Sequence, residues 1–187
     1  MRARIIDAFI EEIQYKGIKC TMDDVASRLG ISKRTLYQHF PSKAELLDTV
    51  VEQTLKEADE KTEQIVQDSS LSLLEKIRSV MMVLPNHYEL YDLRILEQMK
   101  RHYPEQWKKI NDNLQDDWDV LRTLIEQGMK ENLIVTNNVS LIMKLIIDAT
   151  NSTLDQRFYL ENNISVAKAL EEIVNILLHG LVIQEKN

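Results

Sequence analysis

An all-α fold follows from three features of the sequence. Glycine and proline, the residues that interrupt helices, number only 4 and 3 in 187 residues, while Leu, Ile, Glu and Lys abound. Apolar residues recur at three- and four-residue spacing along most of the chain. The breaks in that rhythm coincide with capping residues such as Thr21, Ser32, Ser42 and Ser72. With 44% hydrophobic and 28% charged residues the chain is globular, and it is long enough for one large or two modest cores. About nine helices are expected.

The first helix should run from about Arg2 to Tyr15, with Ile5, Ile6, Phe9, Ile10 and Ile13 on one stripe and Gly17 at its end. Thr21 caps a second helix whose first turn holds Asp23 and Asp24, where carboxylates suit the dipole. Val25, Ala26 and Leu29 are its apolar side, and Gly30 can take the left-handed conformation that ends it. Ser32 caps a third helix with Leu36 and Phe40 four apart, and Pro41 stops it. Ser42 caps a fourth. Two short helices joined by a glycine turn, crossing at the small Ala26, describe a helix-turn-helix. Lys33 and Arg34 in the first turn of the third helix, and Lys43 in that of the fourth, oppose the dipole at about 0.3–1 kcal/mol each. Cations so placed imply an anionic partner outside the protein. DNA is one, since recognition helices enter the major groove by their N-terminal residues and phosphates favour helix N-termini.

Thr21, Asp24-Val25-Ala26, Leu29-Gly30-Ile31-Ser32, Thr35-Leu36-Tyr37, His39-Phe40, Ser42-Lys43 and Glu45-Leu46 resemble, without gaps, the DNA-binding signature of the TetR family of bacterial transcriptional regulators. The resemblance covers about the first quarter of the chain. It implies phosphate contacts from Thr21, Thr35, Tyr37, His39 and Lys43. Base edges would be read by Lys33, Arg34 and Gln38, with Tyr37 beside them; Lys or Arg suits guanine and Gln suits adenine. Many family members carry a small residue, often Gly, in place of Arg34, so Arg34 adds a contact that others lack. The family further implies a double-stranded palindromic operator, a repressor released by an effector held in the C-terminal part, and a fourth helix that acts as a lever.

The fourth helix should continue from Lys43 to about Gln67. Ser72-Leu-Leu-Glu75 is a capping box opening a fifth helix through Leu84, closed by Pro85. A short sixth helix ends near His102-Tyr103. Pro104 opens a seventh, carrying Trp107, Ile110, Leu114, Trp118, Leu121, Leu124 and Ile125. The last two helices, about Val139–Leu160 and Ile164–Ile183, are too apolar for one buried face, so one side is assigned to a second copy of the chain. Leu145, Ala149, Leu170, Val174, Leu177, Leu178 and Leu181 are the expected homodimer interface. The division is therefore a DNA-binding domain at 1–47 and an effector-binding and dimerisation domain at 48–187.

Residues 1–47 hold 8 Lys and Arg against 6 Asp and Glu, and the remainder 15 against 24, within a net charge of −7. A slightly basic head on an acidic body confines the electrostatic footprint to one end. Cys20 stands alone, which excludes an intramolecular disulfide and suits a reducing cytoplasm; it reads as a small packing residue. No segment reads as a signal peptide or membrane span. No cofactor is expected. Asp116, Asp117 and Asp119 lack the spacing and glycine of a calcium loop, and His87 and His102 lack partners for zinc. Nothing supplies an activated nucleophile or a phosphate loop, so an enzyme is not expected. Met81, Met82, Tyr88, Tyr91, Met99, Tyr103, Trp107 and Trp118 cluster in the fifth to seventh helices. Singly each reads as core packing; together they are the candidate pocket for a small apolar or aromatic effector. The alternative is an effector-independent DNA-binding protein, acting architecturally or as an activator through a protein partner.

Overall fold

The computed structural model describes residues 1–116 and 118–182, without the side chain of Asp116. The chain is all-α: α1 (Arg2–Lys16), α2 (Met22–Leu29), α3 (Lys33–His39), α4 (Lys43–Gln67), α5 (Leu73–Met81), α6 (Leu93–His102), α7 (Pro104–Asp116), α8 (Asp119–Lys130), α9 (Val139–Asn151), α10 (Gln156–Glu161) and α11 (Val166–Leu181). Short 3-10 turns occupy Gly17–Lys19, Tyr88–Tyr91 and Ser152–Leu154. The chain forms two compact units, and each has its own core. The first comprises Met1–Glu57 with Pro85–Asn111; the second comprises Ala58–Leu84 with the described residues from Asp112 onward.

In the first unit, Ile5, Phe9, Val25, Leu36, Phe40, Leu46, Leu47 and Val50 are all inaccessible to solvent, together with Leu90 and Met99 from the later segment. The three-helix head is thus enlarged by α6 and the residues around it, where a head of 47 residues would have had a marginal core. Two polar clasps hold the segments together. The Gln98 amide oxygen accepts from the Ile18 amide at 2.9 Å. Lys109 reaches Asp48 at 2.8 Å and Glu52 at 2.7 Å on α4, which with a further bond from Gln106 holds the Asp48 carboxyl below its usual range. Cys20 is buried, and burial pushes its thiol up to about 11, in line with a packing role.

The second unit is built on Ile77, Met81, Leu121, Ile125, Ile134, Ile142, Met143, Ile146, Leu170 and Val174. Ser72 and Glu75 form the expected capping box, Glu75 accepting from the Ser72 amide at 2.8 Å.

Three expected helices end differently. The fifth stops at Met81, with Leu84 outside it. The single helix expected from Pro104 through Ile125 is two, α7 and α8. The Trp118 indole N–H donates to the Leu114 carbonyl at 3.1 Å, and Asn151 donates to the same oxygen at 3.2 Å. In an unbroken helix that carbonyl would accept from the backbone of residue 118. The helix expected from Val139 to Leu160 is likewise α9 and α10. The hydroxyls of Thr150, Ser152 and Thr153 take the carbonyls of Ile146, Ala149 and Thr150, competing with the backbone ladder, and Asp155 then caps α10. The expectations for the Asp116 side chain, Asp117 and Ile183 lie outside the described residues.

Candidate nucleic-acid interface

Local sequence fixes the angle between α2 and α3. The Thr21 hydroxyl accepts from the Asp24 amide at 3.2 Å, while Asp24 accepts from the Thr21 amide at 2.7 Å, a reciprocal cap that starts α2. Hydrogen bonds from Lys16 and Thr21 hold the Asp24 carboxyl far below its usual range. At the other end Gly30 adopts φ 64° and ψ 31°. The Ile31 amide reaches back to the Ala26 carbonyl at 3.0 Å and the Gly30 amide to Ser27 at 3.2 Å, the paired bonds of a Schellman turn. Ser32 caps α3 by accepting from the Thr35 amide at 3.1 Å. Leu36 and Phe40 are fully buried and anchor the opposite face of α3, so its N-terminal turn is presented outward on a fixed frame.

The exposed face of α3 carries the expected readers. Lys33, Arg34, Tyr37 and Gln38 are all exposed, and Thr35 is half-buried. Among the described residues, Arg34 and Gln38 make no hydrogen bond or ion pair, leaving both side chains available. Lys33 is engaged instead: its ammonium lies 2.5 Å from the Asp23 carboxylate, and that hydrogen bond raises its pKa. Thr21 is exposed, though its hydroxyl also donates to Asp24 at 2.7 Å. His39 is half-buried, and its carbonyl accepts from the Arg2 guanidinium at 2.6 Å. Arg2 also stacks 4.1 Å from the Phe40 ring centroid, tying the start of α1 to the end of α3. Lys43 is half-buried, donates to the Ile18 carbonyl and lies 5.3 Å from the centre of the Tyr103 ring. It is therefore a structural clasp as well as a cation at the N-terminus of α4. Asp23, Arg2 and Gln98 escaped sequence reasoning. Asp23 read only as a dipole partner, and the contact of Gln98 lies 80 residues away along the chain, beyond any local signal.

The aromatic and methionine cluster is distributed between the two units. Tyr88, Tyr91, Met99, Tyr103 and Trp107 belong to the first, where Met99 is fully buried and Lys100 lies 4.8 Å from the Trp107 ring centre. Met81, Met82 and Trp118 belong to the second and pack on its core. Among the described residues, no group of three or more His, Cys, Asp or Glu side chains is placed to hold a metal ion.

On the expected dimer face, Leu170 and Val174 require correction. They are 3% and 0% exposed and point into their own core, so they have no surface left to offer a second chain. Leu145, by contrast, is 54% exposed, and Ala149, Leu177, Leu178 and Leu181 are partly exposed. Ile176, outside the expected interface set, is 71% exposed, and Leu141 is 52% exposed. No helix among the described residues is long and apolar enough to cross a membrane.

A capped three-helix head with an exposed, partly cationic recognition turn defines a helix-turn-helix DNA-binding protein. The sequence profile of the bacterial regulatory proteins, tetR family, matches residues 5–50. The whole chain is 30% identical over 186 residues to the uncharacterized HTH-type transcriptional regulator YvaF of Bacillus subtilis (strain 168), covering 98% of that protein. In fold it is similar to the ketosteroid transcriptional regulator KstR2 of Mycobacterium tuberculosis, with a TM-score of 0.72 at 20% identity over 98% of this chain and 95% of that one. It is also similar to the transcriptional regulator FadR of Bacillus subtilis in complex with stearoyl-CoA, with a TM-score of 0.66 at 18% identity over 96% and 99% of the two chains. The chain belongs to the TetR family of bacterial transcriptional regulators.

Proposed function

We propose that the protein is a repressor that binds a near-palindromic operator as a homodimer and is released by a small apolar effector. Residues 1–47 form the DNA-binding domain and 48–187 the effector-binding and dimerisation domain. The observation that carries this reading is the outward face of α3, where Arg34 and Gln38 are exposed without protein partners. Two such faces in a dimer would enter successive major grooves about 34–36 Å apart. Arg34 and Gln38 then read base edges, with Lys33 and Tyr37 beside them, and Thr21, Thr35, His39 and Lys43 hold phosphates.

The second copy would cover the apolar surface of α9 and α11, where Leu141, Leu145 and Ile176 stand out; a monomer gains nothing from leaving these in water. For the effector, one protein of similar fold is a ketosteroid transcriptional regulator and another was seen with stearoyl-CoA. Both names point to small molecules with an extended apolar part. The same class fits the methionine- and aromatic-rich segments here. Release is a population shift: the effector prefers a head separation that mismatches the operator, and weakens DNA binding by no more than its differential affinity.

The test begins with selection of a duplex from a randomised library, followed by fluorescence anisotropy against random duplex. Two chains per selected site are expected. Arg34→Ala should relax specificity and cost about 1–3 kcal/mol on the selected site; equal losses on selected and random DNA would refute base reading. Release of that DNA by a steroid or long-chain acyl-CoA supports the effector. A broad apolar panel that neither releases DNA nor shifts the melting temperature refutes it and leaves a regulator that works without a ligand.

A further inference from the structure

Asp23 and Lys33 stand on different helices of the helix-turn-helix, each in a first turn, and their charged groups meet at 2.5 Å. The side chains are 52% and 65% exposed, so the pair is not a packing device, and exposed pairs contribute little to stability. Nor is Asp23 needed to cap α2. Asp24 already performs that role through Thr21, and also pairs with Lys16 at 2.8 Å. What the pair does is place a carboxylate at the mouth of the recognition helix. It occupies one of the two adjacent cations there and leaves the other, Arg34, free.

We propose that Asp23 restrains Lys33 from DNA phosphates and so sets how strongly the protein discriminates its operator from other DNA. The proposal rests on the reading that α3 enters the major groove. On random DNA the gain open to Lys33 is the sequence-independent one from phosphates, and each phosphate neutralised deepens the salt dependence by about 0.9 in log–log slope. While Lys33 is held by Asp23, that sequence-independent gain is forgone. At the operator the competitor is a guanine edge with two acceptors in fixed geometry. An ammonium has three donors, so Lys33 can turn to that edge at little cost. Asp23 therefore lowers affinity for wrong sites more than for the right one, a case of specificity by added repulsion.

The test compares wild type, Asp23→Asn and Asp23→Ser, each also in a Lys33→Ala background, on the library-selected duplex and on random duplex across a salt series. Both Asp23 variants sit on an exposed turn, and circular dichroism melts are the check that they fold. On random duplex at 0.1 M salt, Asp23→Asn should bind roughly 5- to 10-fold tighter, with a slope steeper by about 0.9. On the selected duplex it should gain less than about threefold, so the specificity ratio falls. In the Lys33→Ala background the change should vanish, since the cycle isolates the pair. The proposal is overturned by an unchanged random-DNA affinity and slope, by equal gains on both duplexes, or by a gain that persists without Lys33. If wild type enriches no duplex at all, the DNA reading itself fails, an outcome distinct from normal operator binding with an inert Asp23.

Discussion

Replacing Gly17 by Ala should destabilise the protein through two separable costs. Gly17 sits at φ 70° and ψ −170°, a region that is essentially glycine-only and costs of order 1–3 kcal/mol for other residues. A Cβ there would also stand 2.6 Å from the Gln98 amide oxygen. Gln98 is flexible and can swing away, but the same oxygen accepts from the Ile18 amide at 2.9 Å. Ile18 is 1% exposed, and an orphaned buried donor costs about 1–3 kcal/mol. Together the penalty is about 2–6 kcal/mol, and at about 2–4 °C per kcal/mol the melting temperature falls by at least about 4 °C. Gly30→Ala is the control. Its φ of 64° is also left-handed, yet a Cβ would meet nothing within 4 Å, so only the conformational cost of about 1–2 kcal/mol remains.

Chemical denaturation of Gly17→Ala, Gln98→Ala and the double variant separates the two costs. Once Gln98 is gone, Gly17→Ala has no clash to create and no acceptor to displace. Its cost in that background should drop to the conformational part, giving a coupling of about 1–3 kcal/mol. Strict additivity, or a Gly17→Ala cost below that of Gly30→Ala, would refute the claim that Gln98 clasps this turn.

Lys43→Ala should lower both DNA affinity and stability. It removes the proposed phosphate contact, which would flatten the salt slope by about one unit on all sequences, and also the bond to the Ile18 carbonyl and the packing on Tyr103, worth about 1–3 kcal/mol; an unchanged melting temperature would contradict the clasp. Glu12 carries a sign-definite pH dependence. Burial pushes its carboxyl up, but hydrogen bonds from Arg28 and Lys16 outweigh that and leave it below the ordinary range. A depressed carboxylate stabilises above its unfolded pKa and loses that contribution as pH falls below about 4. Glu12→Gln should therefore destabilise at pH 7 and converge with wild type in acid, as melts across the pH range would register. Leu145→Asp with Ile176→Asp should yield a folded monomer in analytical ultracentrifugation, with operator affinity lost; a dimer that persists would remove α9 and α11 from the interface.

The head was legible because its determinants are local. Thr21, Gly30 and Ser32 each act within five residues of themselves, through a cap or a single backbone conformation, and all three fall where the chain pattern puts them. The helix breaks at Trp118 and Ser152 were not legible. They arise from an indole and from hydroxyls that outcompete backbone donors for particular carbonyls, and periodicity is blind to that competition. The long-range clasps of Gln98 and Lys109 were hidden for a different reason: polar side chains on exposed-looking helix faces carry no sign of partners 57 or more residues distant. The helix face of α11 shows where pattern reasoning is half right. Apolar residues around most of its circumference ask for two covers, but composition cannot say which residue meets which. Leu170 and Val174 turn to their own core, and Ile176 turns outward at 71% exposure. A stripe shift of two positions on a helix is a rotation of about 200°, enough to exchange inside for outside. Phase, more than hydrophobicity, is therefore what the three-dimensional structure adds, and the Leu145 and Ile176 substitutions test that phase directly.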